Sequence, residues 1–456
     1  MDDKRIELLS KSPVGKAIFS MSIPVVMGMM IQVLYNLVDI YFIGKLDDPN
    51  QLAAANITTP LFMFIMAVSG IVGTGAASYI SRCLGKSDYE KASKVLSSGV
   101  VICLCLGLLF SVFGSLFIKP IVNALGASEM TFPFALNYSI ILLFGAAIIM
   151  CNFALSQLIR SEGSVVVSML GMLIGTIMNI ILNPIFIFVF NMGVKGSAIA
   201  TVLGNALGLV YYIMFYMRGK SMVKFRLRYI SPQKDILKEI FTIGTPASVS
   251  QFLMGVAVIL CNNLAVTYGD NIVAGMGVAS KIITIGTFIF MGFAVGCQPL
   301  IGYSFGAKNY ARTQEIIKKG MIITSIIGVV LTILFGIFAK QLISFFTPLS
   351  DVIPQGSLIL RGFMWSLPVF GAQMVGAVTV QAMGKGGASL LLSVARQGVF
   401  YIPILFTLNS MFGLNGLIFA QPLADLLALL LSILVLSIII KNSKTLSQPQ
   451  MVCDNI

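Results

Sequence analysis

The chain contains no histidine, and this absence excludes several classes of chemistry. Histidine is a common ligand of catalytic zinc, the base of serine-hydrolase triads and a frequent proton relay near neutral pH. The seven cysteines are scattered and form no CxxC pair, which indicates packing residues rather than metal ligands. The sequence therefore predicts a protein that is not an enzyme and needs no cofactor.

Charged residues are also scarce, because they make up only 10% of the 456 residues while hydrophobic residues make up 57%. This composition excludes an ordinary soluble domain. The apolar runs are twenty or more residues long, which suits helices that cross a bilayer and not the short strands of a membrane barrel. The prediction is an all-α polytopic membrane protein.

The apolar runs predict twelve transmembrane helices. They cover residues 17–43, 52–80, 95–118, 132–156, 164–190, 196–217, 236–266, 273–303, 314–339, 354–383, 388–410 and 416–440. If the N-terminus is cytoplasmic, 23 of the 30 Lys and Arg residues lie in cytoplasmic segments or in the first two turns of spans that begin on the cytoplasmic side, and four lie in outside loops. Basic residues favour the cytoplasmic side, so both termini are predicted to be cytoplasmic. The net charge of +13 therefore indicates topology and not a nucleic-acid partner.

A basic segment, RGKSMVKFRLRYISPQKD, separates two halves of six spans each. The predicted organisation is an N-lobe at residues 1–217, a cytoplasmic linker at 218–235, a C-lobe at 236–440 and a cytoplasmic tail at 441–456. The basic linker has two interpretations. It either serves only as a topology signal, which is the simpler interpretation, or it contacts anionic lipids.

The two halves resemble each other at a nearly constant offset. At 221 residues, five positions of the first half meet the same residue type in the second: Gly75, Gly85, Tyr89, Gly99 and Gly107 fall on Gly296, Gly306, Tyr310, Gly320 and Gly328. Six spans is an even number, so both halves enter the membrane in the same direction. This predicts two six-helix lobes related by a pseudo-twofold axis along the membrane normal, with alternating access by rocking of the lobes.

Asp39 lies inside the first predicted span. A carboxylate in a membrane helix is costly unless it faces the interior of the bundle, so it commonly marks a path for an ion or proton. Gln32, Tyr35 and Asp39 share one helical face, and Pro24 removes a backbone donor earlier in the same span. The alternative is an Asp that serves only as a structural hydrogen-bond acceptor.

Other polar residues lie at a depth similar to that of Asp39, in the outer half of the predicted bundle. Together with Asp39 they are Tyr35, Tyr138, Asn179, Asn183 and Thr201. Such a layer could hold a protonation switch, or its oxygen atoms could bind a sodium ion. Asn and Thr side chains also join membrane helices without any other role. The choice between proton and sodium stays open at this point.

The second half has its own charged residues inside predicted spans. Three of them lie at comparable depth in spans that begin on the outer side: Asp425, Lys281 and Arg361. This predicts an ion pair of Asp425 with Lys281 or Arg361. Arg396 enters from the cytoplasmic side and receives no role in a site. In the first span, Met27, Met30 and Gln32 are candidates for lining a cavity for flat apolar ligands, although methionine is often only lipid-compatible filler.

Several motifs together resemble the MATE family of multidrug and toxic compound extrusion transporters, closest to its MepA-like bacterial branch. They cover about residues 10 to 440 and are IPVVM…LYNLVDIYFIG, LAAANI, GTGAASYISRCLG, NIILNPIFIF, GVKGSAIAT, QAMGKGGAS and ARQGVFYIP. The resemblance implies a monomeric antiporter of the bacterial cytoplasmic membrane. It would export small cationic amphiphilic drugs against the entry of protons or sodium.

The resemblance also implies roles for individual residues. The cation and proton site of the family would fall on Asp39, Asn179, Asn183 and Thr201, with Tyr35 and Tyr138 in its hydrogen-bond network. Pro24 would mark the bend of the first helix. Many relatives carry Asp at the position of Asn183. Span ten contains no acidic residue, and span seven contains only Glu239, close to its cytoplasmic start. Both departures favour proton coupling at Asp39.

Three other classes remain as alternatives. A flippase for lipid-linked precursors would share the two-lobe plan, but it should line its cavity with basic residues for pyrophosphate. A channel would not need duplicated lobes that rock. An intramembrane enzyme would need a paired nucleophile and base, which the sequence does not offer.

Overall fold

The computed structural model describes residues 2–46, 48–230, 233–347 and 349–445. The described residues are 88% helix and contain no strand. Most of the predicted tail, residues 446–456, lies outside the described residues. The uninterrupted apolar runs explain this architecture, because a helix satisfies its backbone hydrogen bonds internally in a lipid environment.

The N-lobe follows a short N-terminal helix, α1 (Asp2–Ser10), and its helices run in both directions across the bilayer. They are α2 (Val14–Gly44), α3 (Pro49–Gly85), α4 (Tyr89–Leu116), the short α5 (Ile118–Ala124), α6 (Phe132–Phe144), α7 (Ala146–Ser161), α8 (Val165–Pro184), a π-helix at Ile185–Val189 and α9 (Val194–Met217).

The C-lobe begins after the linker, which contains a 3₁₀ turn at Leu227–Tyr229. Its helices are α10 (Lys234–Val266), α11 (Asp270–Gly306), α12 (Tyr310–Ile337), the short α13 (Ala339–Phe346), α14 (Val352–Phe363), a 3₁₀ turn at Met364–Ser366, α15 (Leu367–Ala382), α16 (Gly386–Val394), a π-helix at Ala395–Tyr401, α17 (Ile402–Phe412) and α18 (Leu414–Thr445).

Eleven helical segments of the described chain are long and apolar enough to cross a membrane. The pair α6 and α7 forms a further span that bends by 54°. The prediction of twelve spans is confirmed when this pair is counted as one. The bend falls at Gly145, where the side chain of Val202 occupies the space that a Cβ would need. The sequence analysis gave this span as residues 132–156 and did not address a bend.

The internal repeat reappears in the turns that precede α4 and α12. Asp88 and Asn309 lie 221 residues apart, and each accepts a hydrogen bond from the first turn of the following helix, at 3.0 and 3.1 Å. The preceding residues, Ser87 and Lys308, both adopt a left-handed conformation with φ of 58° and 57°. The duplicated sequence therefore folds into the same turn and the same helix cap twice.

A reciprocal contact between α3 and α11 lies on the axis that relates the lobes. Gly85 packs against the backbone carbonyl of Tyr303, and Gly306 packs against the carbonyl of Arg82. Both pairs of equivalent residues are 221 positions apart. A contact that is its own symmetry mate is the signature of a twofold axis. The predicted pseudo-twofold relation between the two six-helix lobes is confirmed.

The lobes contact each other on the side of the membrane where the linker joins them, called the linker side below. Arg82 and Glu239 form an ion pair of 2.6 Å across the boundary, and Ser78 donates a hydrogen bond to the carbonyl of Gln381. An apolar cluster joins α1 and the first half of α2 to α11, α12 and α15. On the opposite side, Tyr41 of α2 is 59% exposed.

Candidate functional site

Asp39 lies near the end of α2 that is remote from the linker side, and α8 and α9 hold it by hydrogen bonds. The Oδ1 atom of Asp39 accepts one hydrogen bond from Ser197 Oγ at 2.6 Å and another from Asn183 Nδ2 at 2.8 Å. The described side chains donate no hydrogen bond to its other oxygen, Oδ2. One carboxylate oxygen is thus fixed, and the other is left for a proton or a cation.

The hydrogen bonds continue from Asp39 into the core of the N-lobe. Asn183 also donates to Asn179 Oδ1 at 3.1 Å, and Asn179 donates to Thr201 Oγ1 at 3.3 Å. The hydroxyl of Thr201 lies 3.0 Å from the hydroxyl of Tyr35. The network therefore starts and ends on α2, and it connects the face that carries Tyr35 and Asp39 to both α8 and α9.

The structure brings together the six residues of the predicted polar layer. Five of them, Tyr35, Asp39, Asn179, Asn183 and Thr201, belong to one hydrogen-bonded network. The sixth, Tyr138 of α6, is buried beside it and interacts electrostatically with Asp39. Depth along each span was sufficient to find this group, because neighbouring helices that cross the bilayer place residues of equal depth in contact.

Ser197 is a member of the site that the sequence analysis did not identify. Its hydroxyl makes the shortest of the hydrogen bonds to Asp39, and the residue is fully buried. Ser197 precedes Thr201 by four residues, so the two lie on one face of α9. This spacing within GVKGSAIAT was the available signal, but serine is so common in membrane helices that the spacing alone was weak.

The donor set fits a proton and also a small hard cation. Asn183 Oδ1 is buried without a hydrogen-bond partner, and it belongs to the side chain that touches Asp39. Carboxylate, amide and hydroxyl oxygens are the ligands that sodium would require here. In the described residues no three His, Cys, Asp or Glu side chains converge. Among the hydrogen-bonded residues of this network, Asp39 alone carries a carboxylate.

The remaining predicted residues of α2 lie between this network and the linker side. Pro24 lies inside the continuous helix α2 and is partly exposed. Gln32 and Met30 are half-buried, whereas Met27 is 53% exposed. α2 packs on α8 within its own lobe and on α11 of the C-lobe. It is therefore the helix that carries Asp39 and also forms part of the lobe boundary.

The predicted partner of Asp425 in the C-lobe, Lys281 or Arg361, is wrong. Asp425 pairs with Arg396 at 2.8 Å, whereas Lys281 and Arg361 are both exposed. Depth alone does not tell which way a side chain points, and the sequence analysis excluded Arg396 because it enters from the opposite side. Since the spans that carry Arg396 and Asp425 are neighbours that run in opposite directions, the two residues still meet in the middle of the lobe.

Asp425 is fully buried and receives hydrogen bonds from three side chains. Ser366 donates to Oδ2, while Arg396 Nε and Gln421 Nε2 donate to Oδ1 at 2.8 and 3.0 Å. The guanidinium of Arg396 also stacks 4.6 Å from the ring centre of Phe370. The negative charge of Asp425 is thus satisfied within the C-lobe, unlike that of Asp39. The two lobes share a scaffold and differ in their polar interior.

These features define the class of protein: a two-lobed, twelve-span membrane protein whose N-lobe holds a polar network around a partly buried carboxylate, Asp39. The MatE family model matches residues 24–185 and again 246–407, once in each lobe. The chain belongs to the MatE family. The second match also supports the internal duplication.

Known relatives cover almost the whole chain. The multidrug export protein MepA of Staphylococcus aureus (strain MSSA476) is 33% identical over 95% of this chain and 96% of its own length. Relatives named as export proteins confirm a transporter rather than an enzyme.

Solved structures show the same architecture. A multidrug resistance MATE family transporter in an outward-facing conformation superposes with a TM-score of 0.92 at 28% identity, covering 97% of this chain and 99% of that one. A MATE protein in a bent conformation gives a TM-score of 0.91 at 29% identity, with the same coverage of both chains.

Proposed function

We propose that this protein is a multidrug efflux transporter that exports small cationic amphiphilic drugs by antiport with protons. The observation that carries the proposal is Asp39, whose Oδ1 is held by Ser197 and Asn183 while Oδ2 stays free. Membership of the MatE family and relatives named for multidrug export support the class of substrate. A free carboxylate oxygen inside a membrane lobe is a suitable acceptor for the coupling proton.

The proposed setting is the bacterial cytoplasmic membrane, with both termini and the linker in the cytoplasm and the protein working as a monomer. The excess of basic residues on the linker side supports this orientation. With the linker in the cytoplasm, the contacts between the lobes close the cytoplasmic side. The state described above is then outward-facing, the state from which a drug leaves.

Protonation of Asp39 would change the hydrogen bonds that tie α2 to α8 and α9. A carboxylate only accepts hydrogen bonds, whereas a protonated Asp also donates one. Rotation of the Asn183 amide would present its unpaired Oδ1 to that new donor. Because the network joins α2 to both neighbours, this exchange would release α2 to move. Pro24 lacks a backbone N–H and is the proposed hinge.

The proton gradient supplies enough energy for export. Each pH unit provides about 1.4 kcal/mol per proton, which corresponds to a tenfold concentration ratio. A sodium gradient could do the same if Asp39, Asn179, Asn183 and Thr201 bind the metal. The single carboxylate favours the proton, because an anionic partner at position 183 would be needed to strengthen a sodium site.

The proposal is tested with inside-out vesicles that take up ethidium under either a proton gradient or a sodium gradient. We expect proton-driven uptake by the wild type and none above background by Asp39→Asn. Asp270→Asn, which changes an exposed carboxylate at the start of α11, is the matched control and should transport as the wild type does.

Two results would overturn parts of the proposal. Uptake driven by sodium alone would keep the export function and make the network around Asp39 a metal site. If neither gradient drives uptake of ethidium or of other cationic dyes, a lipid-linked precursor flippase becomes the better hypothesis.

A further inference from the structure

The basic linker is an ordered part of the N-lobe rather than a loose connection. Lys224 N donates to Ser93 Oγ at 3.0 Å and Arg226 N donates to Ser97 Oγ at 3.2 Å, so the linker runs along the first two turns of α4. Both serine side chains are buried beneath it. A segment that acts only as a topology signal needs positive charge but no fixed structure.

The start of the linker is anchored by a second, independent set of bonds. Glu162 is fully buried and accepts hydrogen bonds from Ser221 Oγ at 2.7 Å and Met222 N at 2.8 Å. Val223 is also buried, only 1% exposed. The backbone of residues 221–226 is therefore fixed at both ends against the N-lobe.

The linker carries five exposed basic residues on or beside this fixed backbone: Arg218, Lys220, Lys224, Arg226 and Arg228. The guanidinium groups of Arg226 and Arg228 also lie over the ring of Tyr229, at 5.9 and 5.5 Å from its centre. None forms an ion pair with a carboxylate of the described residues, and residues 218–234 contain no acidic residue. The neighbouring Glu90 of α4 already pairs with Lys94 at 2.8 Å. Within the described residues, these five side chains thus have no ion-pair partner, although Arg228 interacts electrostatically with Glu90.

The linker lies at the level of the membrane surface. α9 ends at Met217, directly before Arg218, and the exposed apolar face of α4 begins at Leu104, about 10 Å along the helix from Ser97. Phe225 and Ile230 are 41% and 38% exposed among the basic residues. Exposed aromatic and apolar side chains between basic ones are typical of segments that lie in the lipid interface.

We propose that residues 218–230 form a docking surface for the phosphate headgroups of anionic phospholipids. Phe225 and Ile230 would reach the boundary of the acyl chains, while the five basic side chains would contact phosphates. The serines of α4 hold these charges in one array on the N-lobe, so bound lipid would stay with this lobe while the C-lobe rocks.

The test compares the retention of phosphatidylglycerol and phosphatidylcholine with identical acyl chains, measured by native mass spectrometry of the purified full-length transporter. Each basic residue near an anionic surface contributes roughly fivefold in affinity. We expect the variant Lys224→Gln/Arg226→Gln/Arg228→Gln to bind phosphatidylglycerol at least about tenfold more weakly, with unchanged binding of phosphatidylcholine.

Two further variants make the result specific. The control Lys238→Gln/Lys308→Gln/Lys318→Gln removes three exposed lysines elsewhere on the linker side and should bind phosphatidylglycerol as the wild type does. Ser93→Ala/Ser97→Ala keeps every charge but removes the hydrogen bonds that fix Lys224 and Arg226 on α4, and it should also weaken binding. Each variant is first checked for an unchanged thermal midpoint in detergent.

Three outcomes would overturn the proposal. The first is equal binding of the two lipids by the wild type. The second is a loss of binding in the control Lys238→Gln/Lys308→Gln/Lys318→Gln as large as that in the linker variant, and the third is full binding by Ser93→Ala/Ser97→Ala. The first would leave an acidic protein segment as the remaining partner of this surface.

Discussion

The hydrogen-bond partners of an aspartate inside the membrane decide whether its carboxylate can still accept a proton or an ion, as Asp39 and Asp425 show. Asp39 has one free oxygen beside an amide whose Oδ1 is unpaired, whereas Asp425 is satisfied by Ser366, Gln421 and the guanidinium of Arg396. A buried charge with complete hydrogen bonds stabilises one arrangement, and a charge with spare capacity can exchange a proton or ion. We therefore assign Asp425 to the stability of the C-lobe.

Removing Asp425 should destabilise the protein because it leaves the guanidinium of Arg396 without its counter-charge. Breaking a buried pair costs about 3 kcal/mol or more, so Asp425→Asn should lower the thermal midpoint in detergent by roughly 5–10 °C. The double variant Asp425→Asn/Arg396→Gln should recover part of this loss. Tryptophan or dye-based thermal unfolding measures both.

Lys281→Gln is the matched control for this prediction, because Lys281 was the alternative partner and is exposed. Its midpoint should stay within 1–2 °C of the wild type, since exposed substitutions usually change stability by about 0.5 kcal/mol or less. A loss as large as that of Asp425→Asn would contradict the pairing with Arg396.

At the scale of elements, glycines at equivalent positions of the repeat lie at two helix crossings, and each crossing is packed in the same way in both lobes. A Cβ on Gly107 would overlap the backbone of Ala147 of α7, and a Cβ on Gly328 would overlap the backbone of Leu367 and Pro368 at the start of α15. Eight residues earlier, Gly99 and Gly320 have more room, because a Cβ would lie 3.3 Å from a side-chain atom in each case. The repeat thus preserves one crossing that leaves no room for a Cβ and one where a Cβ would be only slightly too close to a side chain.

Gly107→Ala should therefore be much more damaging than Gly99→Ala, although both lie on α4. The tight crossing cannot relax without a shift of the backbone, and overpacking of this kind costs about 1–3 kcal/mol. We expect a lower thermal midpoint and less purified protein for Gly107→Ala only. Equal behaviour of the two variants would show that the crossing is softer than its geometry indicates.

At the scale of the whole molecule, the pseudo-twofold axis passes through the contact that closes the lobes on the linker side. Gly85 and Gly306 bring α3 and α11 together there, and Arg82 reaches across to Glu239. Rocking of the lobes has to separate these contacts. The glycines permit close approach in one state without contributing a side chain to the other.

Gly85→Ala should shift the population away from the state closed on the linker side, because its Cβ would overlap the carbonyl of Tyr303. Hydrogen–deuterium exchange measured by mass spectrometry should show faster exchange in residues 78–86 and 300–307. Gly277→Ala is the control, since nothing lies within 4 Å of that position, and it should exchange as the wild type does. Unchanged exchange in Gly85→Ala would exclude this contact as part of the gate.

The sequence by itself determined the twelve spans, the duplication and the polar layer around Asp39. Long apolar runs, a constant offset and depth along a span are properties of a linear chain that a bilayer converts directly into structure. Ser197 was missed because a single serine carries little information in a membrane helix.

The tertiary structure alone decided which side chains face each other. Whether Asp425 meets Lys281, Arg361 or Arg396 depends on the rotation of each helix about its axis, and the bend at Gly145 depends on the approach of α9. The order of the linker is equally a tertiary property, because its backbone amides bond to serines more than a hundred residues away. Packing between helices sets these features, and hydropathy along the chain does not encode them.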